Sequence, residues 1–438
     1  MTKPSQAACP RDRALSRPAA SVLGPLCRTP ALLAALLAGP AAVQAQGPTP
    51  SAFSSPTYRN RPVLPRGADP AVASFIDPTV EIDGPAFVAI GQESFVAPFA
   101  RLRAGRRGRL VIGNASDVQD NATVDATRGG VTIGDLVPIA HGATIIGPAT
   151  IGGFAASTTL PTENGITYDA FISFNARVEN ATVQPGAVVN GLAKVTGGVT
   201  IPSGFQVLPG QLVQSQADLD DPTKVAPTST ALEAFEVGVF DVNRHFALGY
   251  TSLFDIAPFT VFGIGYDPSD TVAPNNPGSV VPIIGGVQRP FPRFKDRIIG
   301  RVIIARNTVG QLNRLLGNSV SIRGDEGHPI TVQSFRAMRD RSTFHALDGS
   351  SLSIGESASI GERCVIHGGI NSVTGATVTQ IGDNVRVADE SVVYRSTIGD
   401  NVTIGRKCYI DSTTLPSGTV VPDRTILVRG VNKGLVAW

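Results

Sequence analysis

Aromatic residues make up only 6% of this 438-residue chain, with a single tryptophan, and charged residues only 16%. The formal net charge is +2. A chain this close to neutral offers no electrostatic case for binding nucleic acid or an anionic membrane surface. No apolar run is long enough for a comfortable membrane span; the one near the N-terminus, Ala31 to Ala42, is too short. Cysteine is scarce as well, at four residues. Cys9 and Cys27 lie in the N-terminal segment, and Cys364 and Cys408 sit where a small core residue belongs. The last two are too far apart along the chain's repeat for a disulfide, and they read as buried thiols.

The N-terminus carries a basic stretch up to Arg28, then the apolar run, then Val43-Gln44-Ala45 before Gln46. Small or apolar residues at 43 and 45 suit signal peptidase, so residues 1–45 are expected to be an export signal. The mature chain is then periplasmic or extracellular, with no membrane insertion. Losing Lys3, Arg11, Arg13, Arg17 and Arg28 together with Asp12 takes the formal charge from +2 to −2. Residues 46–72 are rich in Pro and Ser and read as an extended arm.

What the chain has in abundance is glycine, 47 residues, much of it in a six-residue beat. Ile90-Gly91, Ile112-Gly113, Val118, Val124, Ile133-Gly134, Ile139, Ile145 and Ile151-Gly152 keep the phase in a first half. Ile354-Gly355, Ile360-Gly361, Ile366, Ile381-Gly382, Val387, Ile398-Gly399, Ile404-Gly405 and Ile410 keep it in a second. A small residue such as Ser94, Ala122, Ala143, Ala358, Cys364 or Cys408 follows four places after an aliphatic. A hexapeptide period means a parallel β-helix. Three short strands make a triangular turn of about 18 residues, with the aliphatic pointing inward and Gly or Asn taking the corner. The expected fold is all-β: two tandem left-handed parallel β-helices, at 73–215 and 298–438. Between them lie a loop with a closing α-helix (216–254) and a Pro/Gly-rich linker (255–297). The helix is read from Ala231, Leu232, Phe235, Val239, Val242, Phe246 and Tyr250, spaced by three and four, with Thr228 or Ser229 as cap. No closing helix is evident in the second half.

Three of the five histidines divide one ligand pattern between the halves. Aligned slots hold Asp125, His141 and Ile146 in the first half, and His345, Glu362 and His367 in the second. Neither half has three histidines, yet together they fill every slot, which points to a metal site where the halves meet. His345 and His367 each follow an inward aliphatic (Phe344, Ile366), one coil turn apart. Their rings therefore stack on one outer face, about one strand spacing of ~4.8 Å apart. Two such imidazoles can share an ion, and the next ligand must come from a neighbouring surface. Zinc with three protein ligands and a water fits this arrangement. His245, on the helix, and His328, in a loop, fall outside the set.

The chain resembles the γ-class carbonic anhydrases over about residues 74–250 and 298–427. In the first half the resemblance rests on SDVQD at 116–120, IAH at 139–141, Gly147-Pro148, GVTIPSG from 198 and DVNRHFALGY from 241. In the second it rests on SIRGDEGHP from 321, Asp340, FHAL from 344 and IHG from 366. The resemblance implies left-handed β-helices that assemble with threefold packing, hence a homo-oligomer. It implies a metal site across a contact between coils, with His345 and His367 from one coil and His141 from its neighbour. It implies Gln119 and Asn243 near the reacting oxygen and Glu326 in proton transfer. Arg103, Arg323 and Asp325 match contact positions of the family. The chain departs from the pattern at Asp125, Ile146 and Glu362, and also at Arg339 and Arg106, which replace the glutamine and the acid in the opposite halves. The acidic loop after the first ligand is trimmed.

The implied activity is reversible hydration of carbon dioxide to bicarbonate on Zn2+, with Fe2+ or Co2+ as possible substitutes. Two assemblies are open. Unlike halves side by side give His141, His345 and His367. Like halves together give His345 and His367 with Glu362 as the third ligand. The first is favoured, because the histidine missing from each half is present in the other. The competing classes are a non-catalytic hexapeptide scaffold and a hexapeptide acyltransferase. Gln119, Asp120, Arg103 and Asp340 also have a purely structural reading, as polar residues at coil corners and contacts.

Overall fold

A computed structural model describes residues 74–154, 169–256, 281–289, 291, 295–326 and 328–438. The expected export segment and arm lie outside the described residues, as does most of the expected linker. Among the described residues no helix is long and apolar enough to cross a membrane.

The fold is two left-handed parallel β-helices in tandem, with one long helix after the first. The hexapeptide beat is its cause. Inward aliphatics stack rung upon rung: Val124 pairs with Ile145, Ile145 with Val178, and Val178 with Val195. In the second half Ile322, Phe344, Ile366, Val393, Ile410 and Leu427 form the matching column. Each prism encloses its own continuous apolar core. Parallel pairing leaves one strand spacing between rungs, so a side chain on one coil turn sits directly above its equivalent on the next.

Except at Gly152, whose φ of 66° is left-handed, the glycine after the isoleucine in the six-residue beat has a different reason from the one the sequence suggested. Gly91, Gly113 and Gly134 do not take the left-handed corner conformation. Residues two places later do, and these are Glu93, Ala115 and Leu136. The glycine is required because stacked corners touch. A Cβ on Gly113 would lie 2.3 Å from the carbonyl oxygen of Gly134. In the second half a carboxylate fills the same place: Asp383 Oδ1 lies 2.3 Å from the Cβ position of Gly355 and accepts from Glu356 N at 2.7 Å. Asp340 has the same structural task, accepting from Asn318 N at 2.9 Å. Cys364 and Cys408 are buried and unpaired. Burial pushes their thiols up to about 12 and about 11.

The two prisms pack side by side. The first presents the sheet that includes Phe95–Val96, Pro138–Ile139 and Ala170–Ile172. The second presents the sheet that includes Val320–Gly324, Thr343–Ala346 and Val365–Gly368. Phe171, Phe174, Val188 and Leu192 of the first bury against Val365, Val392, Tyr394 and Tyr409 of the second. The long helix, Thr230–Ile256, is six residues longer than its last apolar marker, Tyr250, suggested. It seals one end of this seam: Phe246 and Tyr250 pack on Phe75, Phe95 and Ile299. At the other end a hairpin of Thr425–Val428 and Val431–Leu435 returns to the first prism, where Trp438 Nε1 donates to Leu192 O at 2.6 Å.

The second coil also begins earlier than 298. Ile283–Ile284 and Val287–Gln288 are already strands within the segment read as linker. A short helix, Val309–Leu315, interrupts the second coil. Its signal was present in the sequence: Thr308 and Gln311 cap each other's backbone reciprocally, the Thr-x-x-Gln form of a capping box.

Gly113→Ala should destabilise the fold by about 1–3 kcal/mol, because backbone rather than a yielding side chain opposes the added methyl. Gly105→Ala, whose Cβ meets nothing within 4 Å, should change stability by less than about 0.5 kcal/mol. Urea unfolding of both variants checks the pair.

Candidate metal centre

Parallel register places His345 directly beneath His367. Their rings are 5.2 Å apart, and His345 Nδ1 lies 3.2 Å from His367 Nε2. On an isolated coil these outward side chains would meet solvent. The first prism covers them, leaving His345 3% and His367 2% exposed. Its contribution is His141, in the turn after Pro138–Ile139, 1% exposed and 5.2 Å from each of the other two rings. One nitrogen from each ring lies within 4.8 Å of the other two. The three histidines thus come together inside one chain, from unlike halves.

The surroundings hold all three imidazoles neutral, the form a metal requires. Burial lowers the basicity of His141, against the opposing pull of Asp120. Burial and then Arg323 lower that of His345 well below the usual range. Burial and then the other two histidines do the same for His367. His141 Nδ1 is 3.0 Å from Asp120 Oδ2, near enough for attraction but off hydrogen-bond geometry. His141 Nε2 is buried with no hydrogen-bond partner. An unpartnered buried nitrogen facing two more imidazoles fits a cation, and a three-nitrogen set suits zinc and its neighbours in the first row. Bonds of about 2.0–2.1 Å to one ion would draw the nitrogens somewhat closer.

Behind the histidines lies a buried ionic cluster that spans both halves. Arg323 Nε is 3.1 Å from both oxygens of Asp120, and its NH1 donates to Asp325 Oδ2 at 2.7 Å. Ser321 Oγ donates to Asp120 at 2.5 Å, and Tyr250 OH donates to Asp325 at 2.5 Å. Asp325 Oδ1 sits 3.1 Å from His345 Nε2, orienting that ring as a carboxylate behind a metal ligand does. Burial opposes ionisation of Asp120, but Arg323 and then His141 outweigh it and hold the carboxyl well below its ordinary value. Glu326 is the opposite case. Burial, and then the charge of Asp325, push it well up. Its Oε1 lies 3.4 Å from His345 Nε2, and its Oε2 is buried without a partner.

A cavity of about 420 Å3 opens beside the histidines. Gln119, Asn243, Glu326, His345 and His367 all line it, together with Phe174, Val239, Leu347 and Ile370. Two residues singled out from the sequence lie elsewhere. Arg103 is on the outward face of the first prism, 48% exposed and paired with Asp83 and Asp125, because the contact between halves uses a different sheet. Its counterpart Arg323 is the one in the contact. Glu362 is exposed on the outer face of the second prism, its backbone N–H donating to Asp389; the unlike-half packing leaves it no role as a ligand here. Phe174, Tyr394 and Tyr250 were not anticipated as part of the site. Phe174 stacks on His141 at 5.8 Å and approaches His367 at 4.9 Å. Tyr394 lies in register above His367, a placement that the hexapeptide count could have given.

The chain is 30% identical over 230 residues to the carbonic anhydrase of Methanosarcina thermophila, spanning 47% of this chain and 85% of that protein. The chain belongs to the γ-class carbonic anhydrase family. It is also 26% identical over 230 residues to the carboxysome assembly protein CcmM of a Nostoc species, of which it covers 38%. No family model matches it. Among solved structures it is similar to a hexapeptide transferase family protein from Anaplasma phagocytophilum, at 19% identity and a TM-score of 0.28, covering 41% of this chain and 93% of the other. A putative acetyltransferase from Desulfovibrio desulfuricans matches at 13% identity and a TM-score of 0.23, covering 80% and 67%.

Asp120→Asn should cost about 3–5 kcal/mol, since it leaves Arg323 short of a buried partner. Asp120 titrates lower in the folded chain than in the unfolded one, where its pKa is about 3.9. Its stabilisation is therefore complete above that value and is lost as pH falls through the folded pKa. The stability difference between wild type and D120N should be flat from about pH 5 to 8 and shrink below about pH 4, by chemical denaturation at each pH.

Proposed function

We propose that this chain catalyses the reversible hydration of carbon dioxide to bicarbonate at one metal ion held by His141, His345 and His367. Zinc is the first choice, with Fe2+ or Co2+ as substitutes on the same donors. The observation that carries the reading is the convergence of three buried histidines from two halves, neither of which has a full set. A bound ion of this kind lowers the pKa of its water toward ~7 and so supplies hydroxide at neutral pH.

The protein's own groups divide the remaining work. Val239, Phe174, Leu347 and Ile370 give the cavity an apolar wall, which suits an uncharged gas and disfavours its charged product. Gln119 is 8% exposed, on the cavity's first-half side; its amide orients the attacking oxygen. Asn243 donates its Nδ2 to Val239 O at 2.8 Å, so the carbonyl end of its amide is the end free to act. Each hydration releases one proton. Glu326 is the acceptor: it lines the cavity with Oε1 3.4 Å from His345 Nε2 and Oε2 unpartnered, and burial raises its proton affinity. Asp325 and Arg323 hold His345 in place and touch no substrate.

The site needs only one chain. Threefold homo-oligomers are proposed from family membership, and they would add contacts between sites rather than complete them. Export to the periplasm or beyond is proposed from the N-terminal segment. The similarity to an assembly protein keeps a scaffold role as the second reading; that reading expects no catalysis by metal-loaded protein.

Stopped-flow hydration assays on zinc-loaded full chain test the proposal. Activity should depend on the metal, and Gln119→Ala should lower kcat/KM by about 100-fold. Glu326→Gln should lower turnover in dilute buffer and recover in concentrated buffer, as a lost proton relay does. Metal-loaded protein with no hydration above background would leave the scaffold reading standing.

A further inference from the structure

A second cavity, of about 720 Å3, lies in the same seam on the far side of a thin wall. Phe171, Phe174, Tyr394 and Arg395 line both it and the metal cavity. Nothing in carbon dioxide hydration calls for it. Substrate and product are of three and four heavy atoms, whereas a cavity of several hundred Å3 is the size that holds a ligand of drug-like dimensions.

Its lining indicates the class of occupant. The first prism brings Phe171 and Phe174, and the second brings Tyr394, Tyr409 and Ile426; all five are at most 6% exposed. They form a rigid floor suited to a flat apolar body. The tyrosines are fixed from behind. The first coil passes so near Tyr409 that a Cβ on Gly191 would lie 2.3 Å from its ring, and Phe174 meets Tyr394 edge-on at 5.4 Å. Asn190, Gln206 and Gln211 add polar edges.

The charges are unbalanced. Arg395, Arg429 and Lys433 line the cavity with one carboxylate, Asp411. Asp411 is already committed: Arg395 binds it through Nε at 2.6 Å and NH2 at 3.2 Å, and the Arg395 guanidinium also sits 4.6 Å over the Tyr394 ring. The Arg429 side chain donates, among the described residues, to the Ser372 hydroxyl at 3.2 Å. Among the described residues neither Arg429 nor Lys433 has a carboxylate partner. The cavity therefore combines an aromatic floor with two uncompensated cations at its rim.

We propose that this cavity is a binding site for an organic anion with a flat aromatic body, such as an aromatic carboxylate or sulfonate. The ring system lies on Phe171, Phe174, Tyr394 and Tyr409, and the acid group is held by Arg429 and Lys433. Because Phe174 and Tyr394 also touch His367, an occupant rests against the back wall of the metal site.

Fluorescence titration of the full chain with 8-anilinonaphthalene-1-sulfonate tests this, with uncharged N-phenyl-1-naphthylamine as the matched probe. The sulfonate should bind saturably at one site per chain. The double variant Arg429→Glu, Lys433→Glu changes two exposed side chains outside both cores. It should weaken the sulfonate by at least about tenfold while changing the uncharged probe less than about twofold. No saturable sulfonate binding, or sulfonate binding unchanged in the variant, would overturn the site. Equal losses for both probes would overturn the role given to the two cations.

Discussion

The two coils are held in one relative position by a buried charge: the Arg323 guanidinium, clamped between Asp120 of the first half and Asp325 of its own. An arginine that is 1% exposed is tolerated only if its partners are in place, because an unpaired buried charge costs several kcal/mol. The same two carboxylates face the metal-site histidines, Asp120 toward His141 and Asp325 toward His345. The interaction that aligns the halves is thus also the one that aligns the ligands. A slip of one rung between prisms would unpair the arginine and separate the histidines together.

This arrangement explains how a site built between coils survives when the coils are joined in tandem. His345 and His367 need only the register of one prism. His141 must be delivered by another, and the apolar seam from Phe171 to Tyr409, the long helix and the C-terminal hairpin all serve to hold that second prism at a fixed distance. The outward faces are under no such constraint. There the positions equivalent to ligands hold Asp125, paired with Arg103, and the exposed Glu362, which are ordinary surface residues.

Much of this was legible in the sequence, because a six-residue period fixes both register and facing. The stacking of His345 and His367, and the pooling of ligands between halves, follow from counting along the chain. Gln119, Asn243, Glu326 and Arg323 came from resemblance, and the fold gathers them at the seam. What counting could not give was which sheet of each prism would meet the other. That choice decides that Arg323 is buried while Arg103 is exposed, and it rests on side-chain packing between distant segments. All but one of the repeat glycines were misread for a related reason: a repeat shows that glycine recurs, but only the stacked corners show that contact with the next rung, rather than the left-handed backbone that Gly152 adopts, demands it. The early strands at 283–288 were missed because a Pro- and Gly-rich stretch conceals the beat, and the short helix at Val309–Leu315 because its Thr308–Gln311 capping signal falls where the beat is expected to run on.

The most direct test of the account is metal content per chain, by elemental analysis after reconstitution with zinc, over a wide range of protein concentrations. A site made within one chain predicts about one ion per chain at every concentration, its loss in His141→Ala, and its retention in Glu362→Ala. Retention of the ion in His141→Ala, or loading that climbs with protein concentration, would contradict it.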